Sequence, residues 1–308
     1  LYSLKQDSKE FMMNKEGTNT RAGPLGSDTS IQMSKIFVDA HVHIHQCFHL
    51  PTFFDSAIAN FQAASNSNEL ENPDEQQCFI LLLTESTPQN SYRHLSDLAA
   101  AGQCLSSHNG LTWSFHHTSE EGGLRALRSD GHSVFLLAGR QIITAEKLEV
   151  LGLLTPTVFE DHQPLSQTVQ DVRNAGGLPV VPWGVGKWMG KRGRILKRFL
   201  ATHESPIFLG DNSGRPFFWP RPRLFSFVEE RGGHILPGSD PFPFPAEVTR
   251  AGSYGFTVDA QISSYLIRDV KKALLNPRSS IEVYGHPERA LCFIKNQVRI
   301  RRTAVVET

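Results

Sequence analysis

The chain has 308 residues, and its 31 Lys+Arg are balanced by 31 Asp+Glu, so the formal charge is zero. That balance argues against a surface built throughout for nucleic acid or an anionic membrane, which would carry a basic excess. An apolar share of 39% is that of a globular protein, and the longest apolar runs, Cys78–Leu83 and Val134–Ala138, fall far short of the roughly 20 residues that span a bilayer as a helix.

Residues 1–32 are rich in Ser, Thr, Asn, Gly and Lys and hold no apolar run of the kind a secretory signal needs. Gly23-Pro24-Leu25-Gly26-Ser27 resembles the remnant of a tag-removal protease site, and Met33 reads as a natural start. The expectation is a flexible tail over 1–32, of vector-derived or upstream origin, and one domain over 33–308. Ile36–Ile44 predicts the first strand, followed by a helix at Ser56–Ala64, a strand at Cys78–Thr84 and a helix at His94–Gly102. Leu111–His116, Val134–Ala138 and Leu148–Leu154 predict strands, and Ser119–His132 reads as turns or a hairpin. Gln167–Ala175 predicts a helix stopped by Gly176-Gly177. It leads into a strand at Leu178–Pro182 and a helix at Ile195–Thr202. Strands at Ile207–Gly210 and His234–Pro237 follow, and Pro287–Arg302 predicts an amphipathic helix with a basic end, which suits the helix dipole. The Pro- and Phe-rich stretches Phe217–Phe227 and Pro241–Pro245 read as rigid loops and an aromatic wall.

Short apolar strands alternating with helices predict an α/β fold, an irregular (β/α) barrel of the eight-stranded type. Four cysteines without a CxxC pair predict reduced, mostly buried thiols in a cytoplasmic protein.

The sharpest chemical signal is Val38-Asp39-Ala40-His41-Val42-His43-Ile44-His45. Alternate strand residues share a face, which would put Asp39, His41, His43 and His45 together. Three imidazoles and a carboxylate are costly to bury without a partner, and a metal ion is the usual one. Barrel chemistry gathers at the C-terminal ends of strands. There Glu85 is a candidate ligand or general base, Asp211 and Asn212 suit a site or a turn, and His116 and His117 end a strand. Trp183–Arg198 holds four glycines and six basic residues with no acid. Glycine-rich amides before a helix, with nearby cations, suit phosphate or carboxylate. Lys187, Lys191 and Arg192 are therefore candidate anion-binding residues, with Arg215 assisting.

Phe37-Val38-Asp39-Ala40-His41-Val42-His43 resembles the opening strand of metal-dependent hydrolases built on α/β barrels, the amidohydrolase superfamily and the PHP (polymerase and histidinol phosphatase) phosphoesterases. Gly238-Ser239-Asp240 resembles a late strand end of the same families, and Gly139–Thr144 a middle strand on which Gln141 stands where the PHP family often carries a glutamate. The resemblance implies that His41 and His43 are metal ligands and Asp240 a ligand or catalytic carboxylate. It further implies a divalent ion (Zn, Mn or Fe) that supplies hydroxide from bound water, with Asp240 or Glu85 shuttling protons. The expected function is hydrolysis of a phosphoester in a small anionic substrate, with neither nucleic acid nor membrane as a partner. C–N bond hydrolysis in the amidohydrolase manner is the alternative within the class. A metal-free barrel that binds a ligand or protein is the alternative outside it.

Overall fold

The computed structural model describes residues 32–67, 76–203 and 207–306, with the backbone alone for 32, 33, 76 and 301–306. The expected tail lies outside the described residues, except that Gln32 opens the first strand. The elements run β1 (Gln32–Val42), α1 (Leu50–Ser67), β2 (Gln76–Leu83), α2 (Ser91–Ala100), β3 (Cys104–Ser106), β4 (Thr112–His117) and β5 (Gly123–Arg128). They continue through β6 (Ser133–Leu137), β7 (Gly139–Ile143), β8 (Glu149–Leu153), α3 (Leu165–Asn174), β9 (Leu178–Pro182) and α4 (Gly190–Thr202). The last are β10 (Phe208–Asn212), α5 (Arg223–Glu229), β11 (Ile235–Gly238), β12 (Tyr254–Ile262), α6 (Leu266–Leu275), β13 (Glu282–Gly285) and α7 (Ala290–Val306). No helix among the described residues is long and apolar enough to cross a membrane.

These strands do not close into the expected barrel. Hydrogen bonding sorts them into two open mixed sheets, one of eight strands in the order β13-β12-β1-β2-β6-β5-β4-β3 and one of five in the order β11-β10-β9-β8-β7. The reason is the number of antiparallel pairings. A barrel of the expected kind needs a crossover helix between every pair of parallel strands. Here β4, β5 and β6 form a meander, β7 and β8 a hairpin, and β12 returns antiparallel to β1. At the junction of the sheets the ladder is reduced to single contacts, such as the Glu85–Arg140 bridge beyond β2 and the Asp240 amide bonded to the His41 carbonyl.

Burial explains the layers. On α1, Phe53, Phe54, Ala57, Ile58 and Phe61 fall on one helical face and pack with Phe37, Trp113 and Phe115 against the larger sheet. A second core lies between the sheets, where Ile36, Val38 and Ala40 of β1 meet Leu151, Leu153, Val180 and Leu236. A third covers the outer face of the smaller sheet, with Val169 and Val172 of α3, Leu196 of α4 and Phe225 of α5. The cysteines depart from expectation: Cys78 is buried, but Cys47, Cys104 and Cys292 are exposed.

The two sheets approach closely at Gly238, where an added methyl would overlap the backbone nitrogen and Cβ of His41. Neither group can move without shifting a strand. Gly238→Ala should therefore lower stability by about 1–3 kcal/mol, the range for overpacking, as read from denaturant midpoints. Gly214→Ala, whose methyl would find its nearest neighbour at 3.4 Å, should cost less.

Candidate metal centre

The side chains of β1 do not alternate strictly. Its pairing with β2 shifts register between Asp39 and Val42, and such a bulge puts two successive residues on one side. Before it, Ile36, Val38 and Ala40 face the core between the sheets; after it, Val42 and Ile44 face the α1 side with Phe37. His41 and His43 are thereby turned into the space between the sheets. Asp39 is turned away from them, which corrects the expectation that all four polar residues share a face.

Asp39 acts on the site from behind. It is fully buried, and its Oδ1 accepts the amides of Ser239 at 2.8 Å and His41 at 3.3 Å, while its Oδ2 accepts the Gly252 amide at 2.8 Å. Burial pushes its carboxyl up to about 6, against the pull of those amides. The next residue, Asp240, has φ +46°, a left-handed conformation uncommon for a side chain larger than glycine. Its amide donates to the His41 carbonyl at 2.8 Å. The late strand end is thus clipped to the first strand on both sides of the Ser239–Asp240 peptide.

The result is a triangle of donors. His41 Nε2 and His43 Nε2 are 3.1 Å apart, and Asp240 Oδ1 lies 3.4 Å from the first and 3.7 Å from the second. Ligand atoms ~2.1 Å from a common ion at angles of ~90–110° would lie about 3.0–3.4 Å apart. Two of the three edges meet that range and the third exceeds it slightly, so the residues fit one ion. They are the one such group among the described residues. Burial, followed by the neighbouring His41, drives the His43 pKa down to about 3, so His43 is the neutral imidazole that ligation requires. Burial pushes the Asp240 carboxyl up, but His41, His43, Lys187 and Arg250 outweigh it and hold it below the ordinary carboxylate range.

Side chains outside the triangle orient it. Asn212 Nδ2 donates to Asp240 Oδ2 at 2.9 Å and to the Trp183 carbonyl at 2.8 Å, which leaves Oδ1 to face the histidines. Gln141 Oε1 is 3.2 Å from His41 Nε2. Gln89, for which the sequence gives no signal, places Oε1 3.4 Å from His43 Nδ1 and Nε2 2.9 Å from His45 Nδ1. His45 Nε2 donates to the Pro241 carbonyl at 2.8 Å, which keeps His45 beside the triangle instead of in it.

The other candidates are dispersed. Glu85 Oε1 accepts the Tyr92 amide at 2.6 Å at the start of α2, and its Oε2 lies 3.3 Å from Arg140. Arg215 is held by Asp211 through two bonds of 2.7 Å, and Tyr254 donates to the same carboxylate. Arg192 donates to the carbonyls of Gly186 and Lys147. Lys191 is exposed on α4, and His116 and His117 are exposed at the end of β4. Lys187 does reach the site. It lines a cleft of about 490 Å³ with Asp240, Asn212 and Trp183, walled by Phe242 and Phe244 and closed by residues of α7. Its ammonium is paired with Glu149, which lines the same cleft.

No family model matches the chain, and no curated protein matches it. The fold is similar to PsfC from Pseudomonas syringae PB-5123, with TM-score 0.44 and 14% identity over 89% of this chain and 99% of that one. It is also similar to Endonuclease Q in complex with a 27-mer duplex substrate with an abasic lesion at the active site. There the TM-score is 0.42 and the identity 9%, over 79% of this chain and 56% of that one. Both likenesses are distant, and neither assigns an activity to this chain. The second structure holds nucleic acid, which runs against the expectation of no nucleic-acid partner.

His43 and Asp39 give opposite pH dependence in metal-free protein. His43, depressed from 6.5 to about 3, contributes stability that is lost as the pH falls from 6.5. Asp39, raised from 3.8 to about 6, contributes stability that is lost as the pH rises through that window. His43→Gln removes the first effect and leaves the Asp39 anchor in place. On going from pH 7 to pH 4, the variant should lose less unfolding free energy than the parent, as denaturant titrations at the two pH values would read.

Proposed function

We propose that the chain is a metal-dependent hydrolase that acts on a phosphoester, with its ion held by His41, His43 and Asp240. The observation that carries this reading is the buried donor triangle at the edge of a cleft large enough for a small molecule. A bound divalent ion (Zn, Mn or Fe) would supply Lewis acidity and make water a nucleophile at neutral pH. The chain supplies the rest. His41 and His43 offer ring nitrogens, and Asn212 fixes the Asp240 carboxylate so that one oxygen faces them. The depressed pKa of Asp240 suits a ligand better than a proton acceptor. Glu85 would have to leave both Arg140 and the Tyr92 amide to serve as a base.

Phosphoester is preferred because Lys187 stands in the cleft beside Asp240 and can donate to an anionic oxygen. Of the four basic residues expected to bind the substrate, it is the one that lines the cleft. Glu149 neutralises part of its charge, and this sets its contribution low.

Two measurements test the reading. Metal-stripped protein reloaded with Zn²⁺ or Mn²⁺ should take up one ion per chain and hydrolyse p-nitrophenyl phosphate. The double variant His41→Ala/His43→Ala should do neither while keeping its circular dichroism. An unchanged ion content in that variant would overturn the assignment. In the loaded protein, Lys187→Ala should weaken inorganic phosphate binding by about 1.5 kcal/mol, the low end for hydrogen bonds to charged groups. Glu149→Gln should strengthen it. Equal losses from Lys187→Ala and from Lys197→Ala, on the exposed face of α4, would show that only diffuse charge is at work.

A further inference from the structure

Three of the four tryptophans, Trp183 and Trp188 from the β9–α4 connection and Trp219 from the segment before α5, line one cavity of about 210 Å³. Trp183 follows β9, Trp188 lies in the glycine-rich turn before α4, and Trp219 precedes α5. The Trp183 and Trp219 rings meet edge to face, with centroids 6.1 Å apart, and Trp188 stands edge-on against Phe225 at 5.7 Å. Arg223 also lines the cavity, and no acid is among the described residues that do. This second cavity shares Trp183 and Gly184 with the cleft at the donor triangle. The carbonyl of Trp183 holds Asn212, which in turn holds Asp240, so the two cavities are fixed relative to each other.

We propose that the tryptophan cavity is a binding site for a planar aromatic ring with hydrogen-bond acceptors on its edge. A nucleobase or similar heteroaromatic ring attached to the anionic group would meet this description. The Trp183 and Trp219 rings, at 70° to each other, and the Trp188 indole offer stacking and edge-to-face contacts to a flat ring. The exposed Arg223 guanidinium, at the cavity's rim, asks for acceptors. A cationic guest of the kind aromatic cages hold is disfavoured by Arg223 and by the lack of a carboxylate. The volume is below the roughly 300 Å³ at which pockets for drug-sized ligands begin, so the cavity takes one ring system and not a peptide segment. That the ring belongs to the substrate rests on the hydrolase reading; that the cavity binds a ring does not.

The test is direct binding to metal-stripped protein, read by calorimetry, so that failed hydrolysis cannot imitate failed binding. The probes are adenosine, adenosine 5′-monophosphate and ribose 5-phosphate. Adenosine should bind, and the monophosphate should bind more tightly than ribose 5-phosphate. Trp219→Ala should weaken both adenine-bearing probes about 5- to 100-fold, the usual range for loss of a base-stacking aromatic, and leave ribose 5-phosphate unaffected. Arg223→Ala, which removes the exposed donor and keeps the three rings, should weaken the same two probes by a smaller factor. Circular dichroism and denaturant midpoints near the parent's would show that the variants fold. Absent adenosine binding, or equal affinities for the monophosphate and ribose 5-phosphate that neither variant alters, would overturn the proposal. Ring-dependent binding without hydrolysis after metal loading would overturn the hydrolase reading and leave this site standing.

Discussion

The centre depends on a carboxylate that faces away from it. Asp39 gathers the amides of His41, Ser239 and Gly252 around one buried anion, and these belong to the first strand, the late strand end and the turn before β12. Together with the bond from the Asp240 amide to the His41 carbonyl, that anchor sets the distance between His41 and Asp240, because the two sheets are not joined by a regular ladder there. The cost is visible in the carboxyl itself, which burial pushes up to about 6 despite three amide donors. A buried anion of this kind is kept where geometry has to be fixed to a fraction of an ångström, since apolar packing alone tolerates more drift.

Local strain and close approach act in the same direction. Asp240 occupies a left-handed conformation, a cost of about 1–3 kcal/mol that persists only where surroundings over-determine it. Gly238 removes the side chain that would hold β11 off β1. Asn212 then restrains the Asp240 carboxylate, and Gln89 restrains His43 and His45. Partners of this second layer set ring orientation and ligand basicity in metal sites. The same Asn212 ties the donor triangle to Trp183 and hence to the aromatic cavity, so a substrate spanning both would meet a rigid frame.

Much of the local structure was legible in the sequence. The eight apolar runs all fall on strands, because residues buried on both faces leave an uninterrupted apolar signature. The Asp-x-His-x-His signature and Gly238-Ser239-Asp240 marked the ends of β1 and β11, and the structure brings His41, His43 and Asp240 together. Closure into a barrel was not legible, since pairing direction depends on partners far along the chain and β12 carries no mark of running antiparallel to β1. The face of Asp39 was misread because a single bulge reverses the alternation from which faces are inferred. Arg215 and Glu85 looked like site residues because their partners, Asp211 for one and Arg140 with the Tyr92 amide for the other, were not foreseeable as pairs. The charge on Lys187 was overvalued for the same reason, with Glu149 opposite it on β8. Gln89 gave no signal, since a lone glutamine in a loop looks like any other.

A crystal soaked with Mn²⁺ and measured for anomalous scattering tests the central claim most directly. The account predicts a single peak between the strands, about 2.0–2.3 Å from His41 Nε2, His43 Nε2 and Asp240 Oδ1. A peak elsewhere, or none while the two imidazole nitrogens remain 3.1 Å apart, would contradict it and make the pair a hydrogen bond between buried histidines.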